Sequence, residues 1–205
     1  MAGNDSKKRR LENVIAALKN DKVAIAALVF LVIVIVLSLA APILPLEPNK
    51  TNVAHMLEAP SWEHPFGTDE IGRDYLARVI YGGRISLLVG VLAMMMSVTI
   101  GVTVGTVSGY FGGIVDAVLM RIVDVMQSIP WLVLVTVVSI FFKQGLSSII
   151  IVIGFFTWME IARLVRAEVL SVKEREYVLY AKFTGISSAK MIFRHLIPSV
   201  LRTII

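Results

Sequence analysis

Apolar residues dominate four long stretches of the chain, and polar residues collect between them and at both ends. Two uninterrupted stretches cover residues 23–44 and 85–110, and the second of these contains no charged residue. A third covers residues 114–142, and a fourth, residues 146–164, is long enough to span only when its polar end is included. Crossing a hydrocarbon core of about 30 Å takes ~20 helical residues, and lipid offers no partner for free backbone groups. The pattern therefore predicts an all-α membrane protein with four transmembrane helices.

Basic residues are unevenly shared among the polar segments, and this asymmetry predicts the orientation. Residues 1–22 and the tail after the fourth stretch are rich in lysine and arginine, whereas the turn at 142–148 has only Lys143. The loop at 45–84 has 4 basic residues against 6 acidic ones. Because cytoplasmic segments carry the excess of lysine and arginine, both ends are expected in the cytoplasm and the 45–84 loop outside. The first stretch is long enough to span, which favours an uncleaved signal anchor over a cleaved signal peptide.

Composition excludes several other classes. With 57% hydrophobic residues, the chain is too apolar for an ordinary soluble domain. It has no cysteine, so disulfides and thiolate metal sites are excluded. The motifs G-x-x-x-x-G-K-[ST], H-E-x-x-H and G-x-S-x-G are also absent, which argues against an ATPase site or a hydrolase centre within this sequence. We therefore expect a protein that is not itself an enzyme.

Small residues recur at every fourth position of the second stretch. The spacing places them on one face of a helix, where another helix can approach closely. The alternative is that glycine is simply frequent in membrane helices. The predicted packing positions are Ser97, Gly101, Gly105 and Gly109.

The third stretch begins with charged residues and contains a proline. Arg121 and Asp124 are three positions apart and can pair on one helical face. Together with Asp116, they either face the protein interior near a polar pathway or reach headgroups and water at the cytoplasmic end. Pro130 removes a backbone hydrogen bond and predicts a kink suited to a helix that lines a cavity.

The outer loop contains a stretch of mixed character, HPFGTDEIGRDYLARVIYGGRISL, from residue 64 to residue 87. Gly67 and Gly72 allow tight backbone turns. His64, Asp69 and Glu70 match no metal-ligand spacing, so no metal site is predicted. A helical segment over residues 75–81 is expected to lie along the membrane interface and to lead into the second stretch.

The polar tail EREYVLYAKFTGISSAKMIFRHLIPS, residues 174–199, predicts two short helices. The first is expected to end at Gly185, as glycine commonly does just after a helix. Ser187 is a suitable N-cap for the second, which Pro198 is expected to bend or close. Such a pair can lie on the inner leaflet or fill a groove on a partner protein, and periodicity alone does not decide between them.

The tail resembles the EAA loop of ABC importer permeases, whose pattern is EAA, three residues, glycine, nine residues and I-x-L-P. Ala181, Gly185 and Pro198 match at the required spacing. The glutamate is missing at its expected place, with Glu176 three residues before it, and His195 stands where the pattern has isoleucine. The match is therefore degenerate taken alone.

Two further stretches strengthen the resemblance. The segments HPFGTDEIGRDYLARVIYGGRISLLVG and GYFGG followed by VDAVLMRIVDVMQSIP are similar to the C-type permease subunit of peptide and nickel importers. The resemblance implies the type I ABC importer permease (MetI-like) fold, with four of its usual six spans and the EAA coupling helices present. It also implies import of peptides or related small solutes across a bacterial or archaeal cytoplasmic membrane.

The resemblance implies partners and roles for particular residues. The expected partners are a B-type permease subunit, two cytoplasmic ABC ATPases, an external substrate-binding protein and membrane lipid, with no nucleic acid. This chain would bind no cofactor, and ATP and Mg would be held by the ATPases. The residues expected at the ATPase contact are Glu176, Tyr177, Ala181, Gly185, Arg194, His195 and Pro198. The loop residues expected on the binding-protein side are His64, Pro65, Phe66, Gly67, Thr68, Asp69, Gly72, Arg73 and Asp74.

Two points stay open at this stage. The family usually has two spans beyond the EAA loop, whereas here residues 200–205 only begin a fifth apolar run. The expectation is therefore a fragment or a truncated sequence. The alternative function is a secondary transporter or channel subunit, which would favour acidic residues in mid-membrane. The only ones recognised from the sequence lie at the cytoplasmic end of the third stretch.

Overall fold

The computed structural model describes residues 21–142 and 145–204, and the elements within these ranges are helical. They contain no strand apart from a single antiparallel bridge between Thr68 and Asp74. The expectations for the basic N-terminal segment and for Lys143 lie outside the described residues. The chain divides into two units, residues 1–88 and 89–205, which are described in turn.

The first unit begins with helix α1 (Lys22–Ala40), which continues as a 3₁₀ turn over Ala41–Ile43. The carboxylate of Asp21 caps α1 by accepting hydrogen bonds from the amides of Val23 and Ala24 at 2.9 and 3.1 Å. Most α1 side chains are exposed, as expected of an apolar helix whose solvent is lipid. A second 3₁₀ turn, Val53–His55, lies in the loop that follows.

Helix α2 (Tyr75–Phe111) starts in the first unit and is 37 residues long. The predicted segment over residues 75–81 forms its first turns without a break. Ser38 of α1 is buried, and a Cβ placed on Gly83 would lie 2.5 Å from its hydroxyl oxygen. The glycine at position 83 therefore permits the close approach of α1 to the start of α2.

The second unit contains the rest of α2 and the helices that follow. These are α3 (Gly113–Gln127), α4 (Trp131–Phe141), α5 (Leu146–Val172), α6 (Glu176–Phe183), α7 (Ser188–Met191) and α8 (Ile197–Ile204). Among the described residues, three helices are long and apolar enough to cross a membrane, and a fourth span results if α3 and α4 are taken together. Four is the number that the apolar stretches predict.

The chain bends by 88° between α3 and α4. The predicted kink is present there, and it is a full break in the helix. Pro130 stands immediately before α4 in an extended conformation with ψ 125°. Its ring disfavours the helical conformation for the preceding residue, and it has no amide hydrogen to continue the ladder of α3.

The small residues of α2 face α5, as the four-residue spacing predicts. A Cβ on Gly105 would lie 2.5 Å from the carbonyl oxygen of Ala162, and one on Gly101 would lie 2.7 Å from Ile161. A Cβ on Gly109 would come within 2.9 Å of Val169. Ser97 is buried at the same seam and accepts a hydrogen bond from the hydroxyl of Thr157 at 2.9 Å. The two backbones are in contact because these positions lack side-chain bulk.

Candidate functional site

The tail forms the two predicted helices, joined at a glycine. Helix α6 ends at Phe183 with Thr184 as its C-cap, and Gly185 follows with φ +74°, the left-handed conformation that glycine adopts at low cost. The amide of Gly185 donates to the carbonyl of Lys182 at 3.1 Å and so satisfies one of the last carbonyls of α6. Ser187 occupies the N-cap position of α7, but its side chain makes no capping hydrogen bond. The turn places α6 and α7 next to each other on one side of the unit.

One face of this helix pair is built into the apolar core. Val178 and Ala181 of α6 pack in one cluster with Met191 and with Val165 and Val169 of α5. The polar contacts that add to this anchoring join Tyr110 to Ser188 at 3.3 Å, Lys173 to the carbonyl of Gly109 at 3.2 Å, and Tyr177 to Ser199 at 2.8 Å. The tail is therefore fixed to the C-terminal ends of α2 and α5.

Pro198 does not close the second helix, which corrects one of the two outcomes expected from the sequence. The chain widens into a π-helical stretch over Ile192–Leu196, where the amide of Ile197 donates to the carbonyl of Ile192. The wider turn reduces the clash that a proline ring makes with the carbonyl four residues earlier. Helix α8 therefore continues through Pro198 to Ile204.

The opposite face of the tail, including the π-helical stretch, exposes aromatic side chains. Phe183 is 89% exposed, Tyr180 74% and Phe193 72%. Of the residues expected at the ATPase contact, Glu176, Tyr177, Gly185, Arg194 and Pro198 are exposed, His195 is half-buried and Ala181 is buried. Ala181 supports this surface from below, while the aromatic residues that the pattern does not mention form much of it.

In the outer loop, Asp69 is the centre of a hydrogen-bonded network. Its carboxylate accepts from the side chains of Arg73 and Arg78, each at 2.6 Å, and from the amides of Ile71 and Arg73. Burial alone would raise the pKa of Asp69, but the amide hydrogen bonds and the Arg73 guanidinium outweigh it and hold that pKa well below its usual range. The charged carboxylate therefore holds Ile71, Arg73 and Arg78 in place through its hydrogen bonds.

His64 and Asp74 form a second polar pair in this loop, with 2.7 Å between Nδ1 and Oδ2. This hydrogen bond raises the pKa of His64 against the opposing effect of burial. Burial acts to raise the pKa of Asp74, but the Ala77 amide and His64 lower it overall. Since Asp74 also accepts from the Ala77 amide at 2.7 Å, it caps α2.

The loop signature divides into residues that hold the loop and residues that face outward. Gly67, Thr68, Asp69 and Gly72 are buried, and both glycines have positive φ and lie directly against backbone atoms of Glu58 or Asn52. Arg73, His64 and Asp74 are partly buried in ion pairs, and Pro65 and Phe66 are exposed. His64 and Asp69, considered above as metal ligands, are directed to different partners.

The charges of the third stretch pair with α5. Arg166 donates to both oxygens of Asp116 at 2.5 and 2.6 Å, and Arg163 donates to Asp124 at 2.5 Å. The predicted pairing of Arg121 with Asp124 is wrong, because Asp124 faces α5 and is held by Arg163. Arg121 is exposed and makes no ion pair within the described ranges. Two acids on one apolar segment and two arginines on the next were the signal that sequence reasoning missed.

The bend at Pro130 opens a cavity of about 730 Å³. Its polar lining comes from Gln127, Thr157, Glu160 and Arg163. Glu160 lies inside α5. The sequence pattern does not single it out as a mid-membrane acid, because it falls in the polar end of the fourth stretch. A cavity of this size beside a broken helix is typical of a path or binding site within a membrane bundle.

Comparison with known proteins identifies the family. Residues 101–205, just over half of the chain, match the family model described as the binding-protein-dependent transport system inner membrane component. The chain belongs to this family. Residues 10–60 also match the N-terminal TM domain of oligopeptide transport permease C. Together with its apolar helices, this makes the chain a multi-pass inner-membrane protein.

Several curated relatives cover most of the chain. The oligopeptide transport system permease protein OppC of Escherichia coli (strain K12) is 40% identical over 91% of this chain and 63% of the relative. OppC of Bacillus subtilis (strain 168) is 33% identical over 91% of this chain and 62% of the relative. The dipeptide transport system permease protein DppC of the same strain is 39% identical over 92% of this chain and 59% of the relative. The chain therefore spans about three fifths of the length of these relatives.

Proposed function

We propose that this chain forms part of a permease subunit of an ATP-driven ABC importer that moves peptides or related small solutes across the inner membrane. The family to which it belongs is described as binding-protein-dependent, and its relatives are oligopeptide and dipeptide transport permeases. These comparisons do not favour a secondary transporter or a channel. The permease pairs with a second, B-type permease, and its basic ends face the cytoplasm.

The observation that carries the proposal is the two-sided character of the tail. One face of the tail is fixed in the core with α2 and α5, and the other presents Tyr180 and Phe183 of α6 and Phe193 of the π-helical stretch. Exposed aromatic side chains on a rigid support are typical of a docking surface. The resemblance to the EAA loop supports a cytoplasmic ATPase as the partner, with this surface docked in a cleft of the ATPase, which holds ATP and Mg.

The anchoring supports a mechanism of coupling. A displacement of the tail by the ATPase is transmitted to α5 through Val178 and Met191, since close-packed contacts move as a unit. Helix α5 in turn lines the cavity at the Pro130 bend. ATPase closure therefore reaches the cavity through direct contacts, and the external binding protein delivers solute on the side of the 45–84 loop.

The decisive experiment compares two exposed aromatic residues in the intact permease. Phe183→Glu should abolish co-purification of the ATPases, because it places an uncompensated charge in the docking surface. Phe66→Glu, on the outer loop, is the matched control and should leave ATPase co-purification at the wild-type level. Retention of the ATPases by Phe183→Glu at wild-type yield, with ATP-driven uptake intact, would remove the proposed docking surface.

A further inference from the structure

Glu160 is an exposed carboxylate within a membrane-spanning helix. It lies 14 residues from Leu146 and 12 from Val172, or about 21 and 18 Å from the two ends of α5. Glu160 therefore lies within the predicted span over residues 146–164, toward its polar end. An ionisable residue within a span is costly and usually faces a partner or a water-filled path.

Glu160 has no cationic partner in the described parts of the chain. It makes no hydrogen bond or ion pair with any described residue. The nearest basic residue along α5, Arg163, donates to Asp124 at 2.5 Å and is therefore already engaged. The carboxylate at position 160 therefore has no ion-pair partner among the described residues, although Arg163 lines the same cavity.

The surroundings of Glu160 favour a mobile occupant. It lines the cavity of about 730 Å³ at the Pro130 bend and also a second depression of about 390 Å³ beside Ser97. Thr157, one turn away, borders both, and its hydroxyl is satisfied by Ser97 and by the carbonyl of Ile153. Cavities of this size hold small-molecule ligands. Because the carboxylate borders two cavities, it is better placed to contact a passing solute than to contact a side chain packed against it.

We propose that Glu160 binds the α-ammonium group of a peptide as it passes the bend at Pro130. This inference rests on the proposed function. The α-ammonium is the one cationic group that every unblocked peptide carries, whatever its side chains. A carboxylate and an ammonium form a charge-assisted hydrogen bond that strengthens away from water. Recognition at this point is therefore independent of peptide sequence and excludes N-blocked peptides.

The test is a labelling experiment on the intact transporter. Thr157→Cys introduces a thiol one turn from Glu160, and the 205-residue sequence has no other cysteine. With cysteines removed from the rest of the complex, a cationic methanethiosulfonate should react about tenfold faster than an anionic one because of the neighbouring carboxylate. Tri-alanine should slow the reaction, and N-acetyl-tri-alanine at the same concentration should not. Phe155→Cys, outside the cavity, is the matched control and should show no protection by peptide.

Substitution of Glu160 in the Thr157→Cys background decides the outcome. Glu160→Gln should remove both the charge preference and the protection by tri-alanine, and Glu160→Asp should restore them. Persistence of both effects in Glu160→Gln overturns the inference. Loss of the partner permease from the Glu160→Gln complex also overturns it, because the carboxylate then serves a subunit contact. Uptake by the wild-type transporter tests the proposed function separately, since ATP-dependent transport of tri-alanine persists even if Glu160 has no role.

Discussion

The guanidinium of Arg166 in α5 holds both carboxylate oxygens of Asp116 in α3, with Nε–Oδ1 and Nη2–Oδ2 distances of 2.5 and 2.6 Å. The hydroxyl of Ser108 in α2 donates to the same carboxylate, so three helices meet at one charge. The Asp116 side chain is 18% exposed and that of Arg166 33%. A bidentate pair with a third donor is the arrangement in which a partly buried ion pair contributes to stability.

Asp116→Asn should destabilise the bundle, because it leaves Arg166 without its counter-charge. Breaking a buried pair costs about 3–5 kcal/mol, and the partial exposure of both groups reduces this to about 1–3 kcal/mol. Thermal unfolding of the intact permease in detergent measures the change, and the swap Asp116→Arg with Arg166→Asp should recover part of it. Asp124→Asn is the control and should cost less than about 1 kcal/mol, since its partner Arg163 is half exposed. Equal losses for Asp116→Asn and Asp124→Asn would contradict the assignment.

Gly105→Ala should destabilise the packing of α2 on α5. The added Cβ would lie 2.5 Å from the carbonyl oxygen of Ala162, a backbone atom that moves only if α5 moves. Overpacking of this kind costs about 1–3 kcal/mol. Gly90→Ala, in the same helix with nothing within 4 Å of the new Cβ, should be neutral or stabilising by up to about 1 kcal/mol. The same unfolding assay compares the two, and a Gly105→Ala variant as stable as Gly90→Ala would argue against the seam.

Much of the fold is predictable because lipid limits what the backbone can do. The apolar stretches predict helices where the structure has them, and the spacing of Gly101, Gly105 and Gly109 predicts the side that meets α5. Pro130 predicts the place of the break, although the 88° angle depends on packing around it. Gly185 predicts the turn between α6 and α7. In these cases a local property of one residue determines the local structure.

The remaining features depend on contacts between residues distant in sequence. Arg121 and Asp124 have suitable spacing to pair. Asp124 nevertheless faces α5 and forms its ion pair there with Arg163. Pro198 stays within a helix because the π-helical stretch before it accommodates the ring. The exposure of Phe183 and Phe193 follows from which face Met191 and Leu196 bury. No single segment carries that information.

Asp69→Asn should loosen the outer loop without unfolding the helices. The amide cannot supply the charge that Arg73 and Arg78 share, although it still accepts a hydrogen bond. The backbone bonds that depend on this network include those from Leu57 to Asp69 and from Asp69 to Arg73. Hydrogen exchange followed by mass spectrometry should show amide exchange faster by about tenfold or more over residues 52–74. Glu70→Gln, at the exposed neighbouring position, should exchange like the wild type, and a similar effect of both variants would count against a special role for Asp69.

The pair of His64 and Asp74 should make the start of α2 less protected as the pH rises. The pKa of His64 is raised from its ordinary 6.5, so its stabilising contribution is complete below that value and is lost as the pH rises through the raised pKa. The pKa of Asp74 is lowered from 3.8, so its contribution is present above that value and is lost as the pH falls through the lowered pKa. Glu58 and Glu63 also face His64 and favour its charged form.

The pair therefore contributes most between the ordinary pKa values of its two groups. The amide of Ala77, which donates to Asp74, should be better protected from hydrogen exchange at about pH 5.5 than at about pH 9, after correction for the intrinsic rate. His64→Gln should abolish the difference, because the neutral side chain does not titrate. A pH dependence that persists unchanged in His64→Gln would assign it to another group. Asp74→Asn should lower protection at both pH values, since it removes the cap of α2 together with the ion pair.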